Sequence, residues 1–210
     1  MGRHAGIFGL AIVLGSAGGV GAAIVHGNGG GAASSERPQA LRAQVRWDAG
    51  EKVAPVFTLR DQTGARLSLA ALRGRPVLLT FLDSVCKREC PVEGRVLSDV
   101  ERDARSTQMA VAVVSVDPWS ETRATVQRFT RRVRWSGRWY WFLGSLRTLQ
   151  PVWRDYGIDV RRIPGDVAHS VALYVIDPHG DLRAGYLFPF SPSDVVHDVR
   201  ALAAAASSGS

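Results

Sequence analysis

Cysteine is nearly absent. Cys86 and Cys90 are the only two in 210 residues, too few for a scaffold stapled by several disulfides. A chain of this length with 46% hydrophobic residues buries a core without such help, so the pair is expected to do chemistry rather than hold architecture. Lysine is almost as scarce, with Lys52 and Lys87 the only examples, and arginine carries the formal net charge of +7. A basic balance permits an anionic partner without demanding one. Zinc-finger spacing and an RNP-like aromatic strand are both missing, so nucleic-acid binding is not expected. No internal repeat occurs, which excludes a repeat array.

One long uncharged run is present. Residues 5–25 follow Arg3 and His4 without a charge for about 21 residues, against the ~20 needed to span a bilayer as a helix. With its positive end cytoplasmic, the rest of the chain faces outward. The expected organisation is a transmembrane anchor over residues 1–25, a Gly/Ser-rich flexible linker over 26–50 and a domain over 51–206. A cleaved secretory signal ending near Gly31-Ala32-Ala33 is the alternative. With no cysteine near this run, a lipid-modified cysteine is not expected. Both readings place the domain outside the cytoplasm, the first as a single-pass cell-membrane protein.

The remainder alternates strand and helix signals. Asp61-Gln62-Thr63-Gly64 reads as the turn of a hairpin. The apolar runs 76–82 and 109–117 have the length and continuity of strands covered on both faces. Val92, Val96, Leu97 and Val100 recur at helical spacing behind Pro91, which suits a first turn. Ser120 is the expected cap of the next helix, RWYWFLG a short aromatic strand, and Pro151 an interruption in the helix closed by Gly157. A hairpin around Pro178-His179-Gly180-Asp181 and a final helix complete the pattern. Strands separated by helices imply βαβ crossovers, hence an α/β mixed sheet of about five strands with helices on both faces.

The cysteines fall where the first central strand ends and its helix begins, the edge at which open α/β sheets bind ligands. Residues four apart share a helix face, so both sulfurs can close a disulfide, act as a redox couple or grip one soft metal ion. A helix N-terminus with Lys87 and Arg88 favours the thiolate, with Glu89 partly offsetting them. Among the histidines, His4 and His26 lie in the anchor and linker, His179 in a turn and His197 on the last helix; only His169 precedes a strand.

From about residue 53 to 205 the chain resembles the Sco/SenC family of copper proteins. The resemblance is carried by APVFTLRDQTGARLSLAALRGRPVLLTFLDSVCKRECP, VVSVDP, YGIDV and HSVALYVIDPHGDLRAGY, in that order. It implies a thioredoxin-like fold with an inserted N-terminal hairpin and a copper site of Cys86, Cys90 and His169, the cysteines doubling as a redox pair when empty. It further implies, as partner, the dinuclear copper centre of cytochrome c oxidase subunit II, supplied with copper or reduced at its cysteines. The chain departs from the family at Lys87, where proline is usual, at Ala168, where aspartate is usual, and across Trp119-Ser120-Glu121-Thr122; Asp166 is the candidate to replace the missing aspartate. The rival reading is a membrane-anchored thiol–disulfide oxidoreductase without stable copper, although such enzymes favour CxxC spacing. A peroxiredoxin-like peroxidase fits poorly, because Asp83 stands where it needs a threonine. The run RFTRRVRWSGRWYWFLG reads as a solvated basic helix end followed by a core strand.

Overall fold

The computed structural model describes residues 40–208; the apolar run 5–25 and the linker up to residue 39 lie outside the described residues. Chain order is β1 (Val45–Arg46), β2 (Thr58–Arg60), β3 (Arg66–Ser68), β4 (Val77–Leu82), α1 (Glu89–Asp103), β5 (Ala110–Ser115), α2 (Arg123–Val133), β6 (Trp139–Phe142), α3 (Leu146–Asp155), β7 (Val160–Ile163), β8 (Asp166–His169), β9 (Ala172–Ile176), β10 (Leu182–Leu187) and α4 (Pro192–Ser208). No helix among the described residues is long and apolar enough to cross a membrane.

The two apolar runs read as buried strands become β4 and β5, adjacent and parallel, with Leu82 opposite Ser115. β6 extends the parallel side, β9 lies antiparallel to the other edge of β4, and β10 and β1 follow outward, giving the order β1-β10-β9-β4-β5-β6. Alternation along the strands separates two cores. Leu78, Leu82, Val111, Val113 and Trp141 face α1, α2 and α4, meeting Leu97, Phe129 and Val199. Val77, Leu79, Phe81, Val114 and Phe142 face α3 and the β2–β3 hairpin, meeting Leu149, Trp153 and Phe57. This is the expected thioredoxin-like mixed sheet with helices on both faces and the hairpin inserted before β4.

Four details differ from the sequence reading. The sheet has six strands, because residues 45–46, assigned to the linker, pair with β10. The backbone N–H groups of Arg42 and Ala43 donate to the buried Asp198 carboxylate of α4 at 2.8 and 3.1 Å, and Tyr186 Oη donates to it at 2.6 Å. Residues 42–50 therefore belong to the folded domain. Ser120 does not cap α2: its N–H and that of Trp119 bond Asp117 Oδ1, both at 3.0 Å, and Thr122 forms a capping box with Thr125. Pro151 does not interrupt α3, which runs through it because Leu149, Val152 and Trp153 are anchored in the core, Trp153 Nε1 donating to the Ser115 carbonyl at 2.9 Å. Finally, β7 and β8 form a separate antiparallel hairpin, with Val160 opposite His169.

Candidate metal and thiol site

β4 delivers the chain to the carboxyl edge of the sheet, and residues 83–88 turn back into α1. Cys86 lies in that turn, half-buried; Cys90 lies in the first helical turn, 2% exposed. Both are free thiols. The turn is held from beneath: Asp83 Oδ1 accepts from the Val85 N–H at 2.7 Å, and Glu121 Oε1 accepts from the Ser84 N–H at 2.5 Å.

The Cys86 sulfur accepts a hydrogen bond from the Cys90 thiol and from the backbone N–H groups of Cys90 and Arg88, which together outweigh burial and draw its pKa down from 9.0 to about 5. The same thiol–thiolate bond, with burial, pushes the Cys90 thiol strongly up. The pair therefore shares one proton, held on Cys90. The sequence reading credited Lys87 and Arg88 with stabilising the thiolate. The structure instead uses hydrogen bonds at the helix start; Lys87 and Arg88 are exposed, and the Arg88 guanidinium turns to Asp166 at 3.5 Å and Glu89 at 4.0 Å. In reduced, metal-free protein, carboxamidomethylation of Cys86, followed by peptide mass spectrometry, should stay near its maximal rate down to about pH 6, whereas an ordinary thiol slows about tenfold per pH unit below its pKa. A midpoint near pH 9 would remove the shared-proton description.

The β7–β8 hairpin brings His169 to the same place. Its Nε2 stands 3.7 Å from Cys90 Sγ, and its Nδ1 lies 3.0 Å from the Ser170 carbonyl oxygen. A carbonyl only accepts, so Nδ1 carries the proton and Nε2 presents its lone pair to the sulfur. Asp166 does not take the place of the missing aspartate: its carboxylate faces Arg88 and the Val167 N–H, and the Ser170 carbonyl orients the imidazole. His179 stays in the β9–β10 turn and His197 on α4 against Asp198, at 3.0 Å. Among the described residues no group of three or more His, Cys, Asp and Glu is placed so as to hold a metal ion; the two contacts run Cys86 to Cys90 and Cys90 to His169.

Three acids lie around the thiols, Asp83 and Glu93 buried and Glu121 half-buried, and the sequence alone assigns none of them a role beside the cysteines. Burial raises Asp83 to about 6, opposed by the Val85 N–H, and Glu121 to about 8, opposed by the Ser115 hydroxyl and then the Ser84 N–H. Glu93, one turn beyond Cys90, is raised to about 8 by complete burial. Beside Cys86 opens a cleft of about 490 Å³ whose walls are the 83–88 turn, residues 117–120 and the β7–β8 hairpin.

The SCO1/SenC family model matches residues 46–204. The chain belongs to the SCO1/SenC family. The SCO1 protein homolog of Bacillus subtilis is 23% identical over 150 residues, covering 68% of this chain and 77% of the relative. Copper-bound ScoI of Bradyrhizobium japonicum superposes with a TM-score of 0.63 at 22% identity, covering 71% of this chain and 99% of that one. BsSco, described with a disulfide switch and as a member of the Sco family of cytochrome c oxidase assembly proteins, superposes at 0.65 with 20% identity, covering 77% and 98%. At these identities the two structures establish a shared fold.

Proposed function

We propose that this Sco/SenC chain is an extracytoplasmic copper-binding protein of cytochrome c oxidase assembly, with Cys86, Cys90 and His169 as its copper ligands. The observation that carries the reading is the imidazole: Nδ1 is committed to the Ser170 carbonyl, and the Nε2 lone pair faces Cys90 Sγ at 3.7 Å. Two sulfurs already in hydrogen-bond contact plus one neutral imidazole make a soft donor set that suits Cu(I), and the imidazole also accepts Cu(II). Three protein ligands leave room for an incoming one, which allows copper to pass by ligand exchange to the dinuclear centre of oxidase subunit II. Copper-bound ScoI and the description of BsSco support this assignment. The uncharged run 5–25 serves as the membrane tether.

The test is copper stoichiometry and competition affinity, under reducing conditions, for the wild type and His169→Ala. One copper per chain is expected, with affinity falling on the order of a hundredfold or more in the variant. Binding indifferent to His169 would refute the three-ligand site. The second reading, reduction of the recipient's cysteines, draws on the stabilised Cys86 thiolate with its thiol partner. It predicts thiol–disulfide exchange that survives His169→Ala.

A further inference from the structure

The cleft beside Cys86 has no assigned occupant. Its wall includes the one sulfur of the pair that is open to solvent, and its approximate volume of 490 Å³ is enough for several side chains of an extended segment. Its charges divide by depth. Asp83 and Asp117 are 2% and 3% exposed and satisfied from within the protein, by the Val85 N–H and by the N–H groups of Trp119 and Ser120. Asp166 is engaged by Arg88. The exposed charges left over are both positive: Lys87, without an ion-pair partner among the described residues, and Arg162, whose guanidinium lies 5.4 Å from the Trp119 ring centre. Trp119 and Ile163, 39% and 41% exposed, add apolar surface beside those cations.

A sulfur in the wall, unpaired cations at the rim and an exposed tryptophan next to them define the chemistry of an occupant. We propose that this cleft seats an acidic, extended peptide segment of the protein that exchanges copper or electrons with Cys86. Carboxylates of the segment meet Lys87 and Arg162, an apolar side chain lies against Trp119 and Ile163, and the segment's own sulfur or imidazole is thereby brought to the exposed edge of the Cys86–Cys90 pair. The inference rests on the reading that Cys86 is the exchanging sulfur, but the seat itself is testable without that chemistry.

The test uses the full-length chain in neutral detergent and a dye-labelled acidic octapeptide containing serine in place of cysteine. Fluorescence anisotropy should show salt-sensitive binding that weakens about tenfold or more in the Lys87→Glu/Arg162→Glu double variant at low ionic strength. The control variant Arg131→Glu/Arg132→Glu, with the same charge change at the far end of α2, should bind within about twofold of wild type. Equal weakening in both variants means attraction by net charge alone and overturns the seat; so does absence of binding, or a neutral peptide binding as well.

A second arm separates the seat from the chemistry. The cysteine form of the peptide, activated as a mixed disulfide with nitrothiobenzoate, reports attack by Cys86. The Cys86–peptide S–S bond forms, the peptide–aryl S–S bond breaks, and the electron pair leaves with the coloured aryl thiolate. Later attack by Cys90 frees the peptide thiol without releasing more dye. Seat-dependent binding without exchange would retain the cleft and reject Cys86 as the exchanging sulfur. Rapid exchange at a rate blind to Lys87 and Arg162 would do the reverse.

Discussion

Cys90→Ser is expected to lower copper affinity by on the order of a thousandfold or more, beyond the 10–100-fold typical of losing a partner outside the ligand shell. Serine is the informative substitution because it separates two things that Cys90 does. A serine hydroxyl can still donate to the Cys86 thiolate, the leading cause of that thiolate's stability. It cannot replace a thiolate as a soft ligand, and oxygen donors suit hard cations instead. Cys90 belongs to the buried core cluster on the α1 face of the sheet, and exchanging sulfur for oxygen there alters little volume, so thermal unfolding should remain cooperative with a modest drop in Tm. The outcome to check is therefore a pair of measurements: competition affinity collapses while the pH midpoint of Cys86 alkylation stays well below 9. Wild-type copper affinity in this variant would show that Cys90 is not a ligand. Loss of affinity together with loss of the folded transition would assign the effect to structure instead.

The cysteine edge was legible because two independent signals coincide there, a continuous apolar run that can only be a covered strand and a proline suited to a first helical turn. The structure ends β4 at Leu82 and starts α1 at Glu89, leaving Cys86 and Cys90 on either side of the helix start. From pattern alone His169 stands out only as the histidine that precedes a strand, and the family resemblance makes it a candidate ligand; its hairpin has little hydrophobic pattern, Arg161, Arg162 and Ile163 all being exposed, and Pro164-Gly165, with Gly165 at φ 74°, marks the turn. The linker boundary was misread for a related reason. Residues 42–43 are held by backbone donation to Asp198, and nothing in the run LRAQVRW reveals that a buried aspartate on the last helix will receive it. Cleft walls assembled from residues 83–88, 117–120 and 162–167 are likewise a product of topology, since the ends of the adjacent strands β4 and β5 and the separate β7–β8 hairpin bring them together. Glu93 is the instructive case: Cys90, Glu93, Leu97 and Val100 follow the helical repeat of one buried face, so its burial could be read from spacing, although its protonation could not.

Glu93→Gln should change stability in a pH-dependent way whose sign the structure fixes. Glu93 is fully buried, and its Oε1 lies 2.5 Å from Thr80 Oγ1 on β4. Thr80 Oγ1 is also 3.1 Å from the Ala172 carbonyl, which only accepts. The Thr80 hydroxyl has one proton for these two acceptors, and donating it to Glu93 Oε1 favours the carboxylate, in opposition to burial. Burial raises its pKa from 4.5 to about 8, against the opposing Thr80 hydrogen bond, and Oε2 has no hydrogen-bond partner to stabilise a charge. A carboxyl with a raised folded pKa binds more protons folded than unfolded between the two values, so stability falls as pH rises through that window. Its contribution is fully present below about 4.5 and lost by about 8, a difference of roughly 4–5 kcal/mol if the full shift is realised. Glutamine keeps an oxygen that accepts from Thr80 and cannot ionise. The two metal-free proteins should be of similar stability at pH 5, and the variant should become the more stable by about 3–4 kcal/mol at pH 8 to 9 in urea titrations. Glu121 titrates in the same direction as Glu93 and Cys86 in the opposite one, so the quantity to plot is the difference between the proteins at each pH, in which those shared contributions cancel. A flat difference would mean that Glu93 titrates alike in the folded and unfolded chains, the Thr80 hydrogen bond then fully offsetting burial.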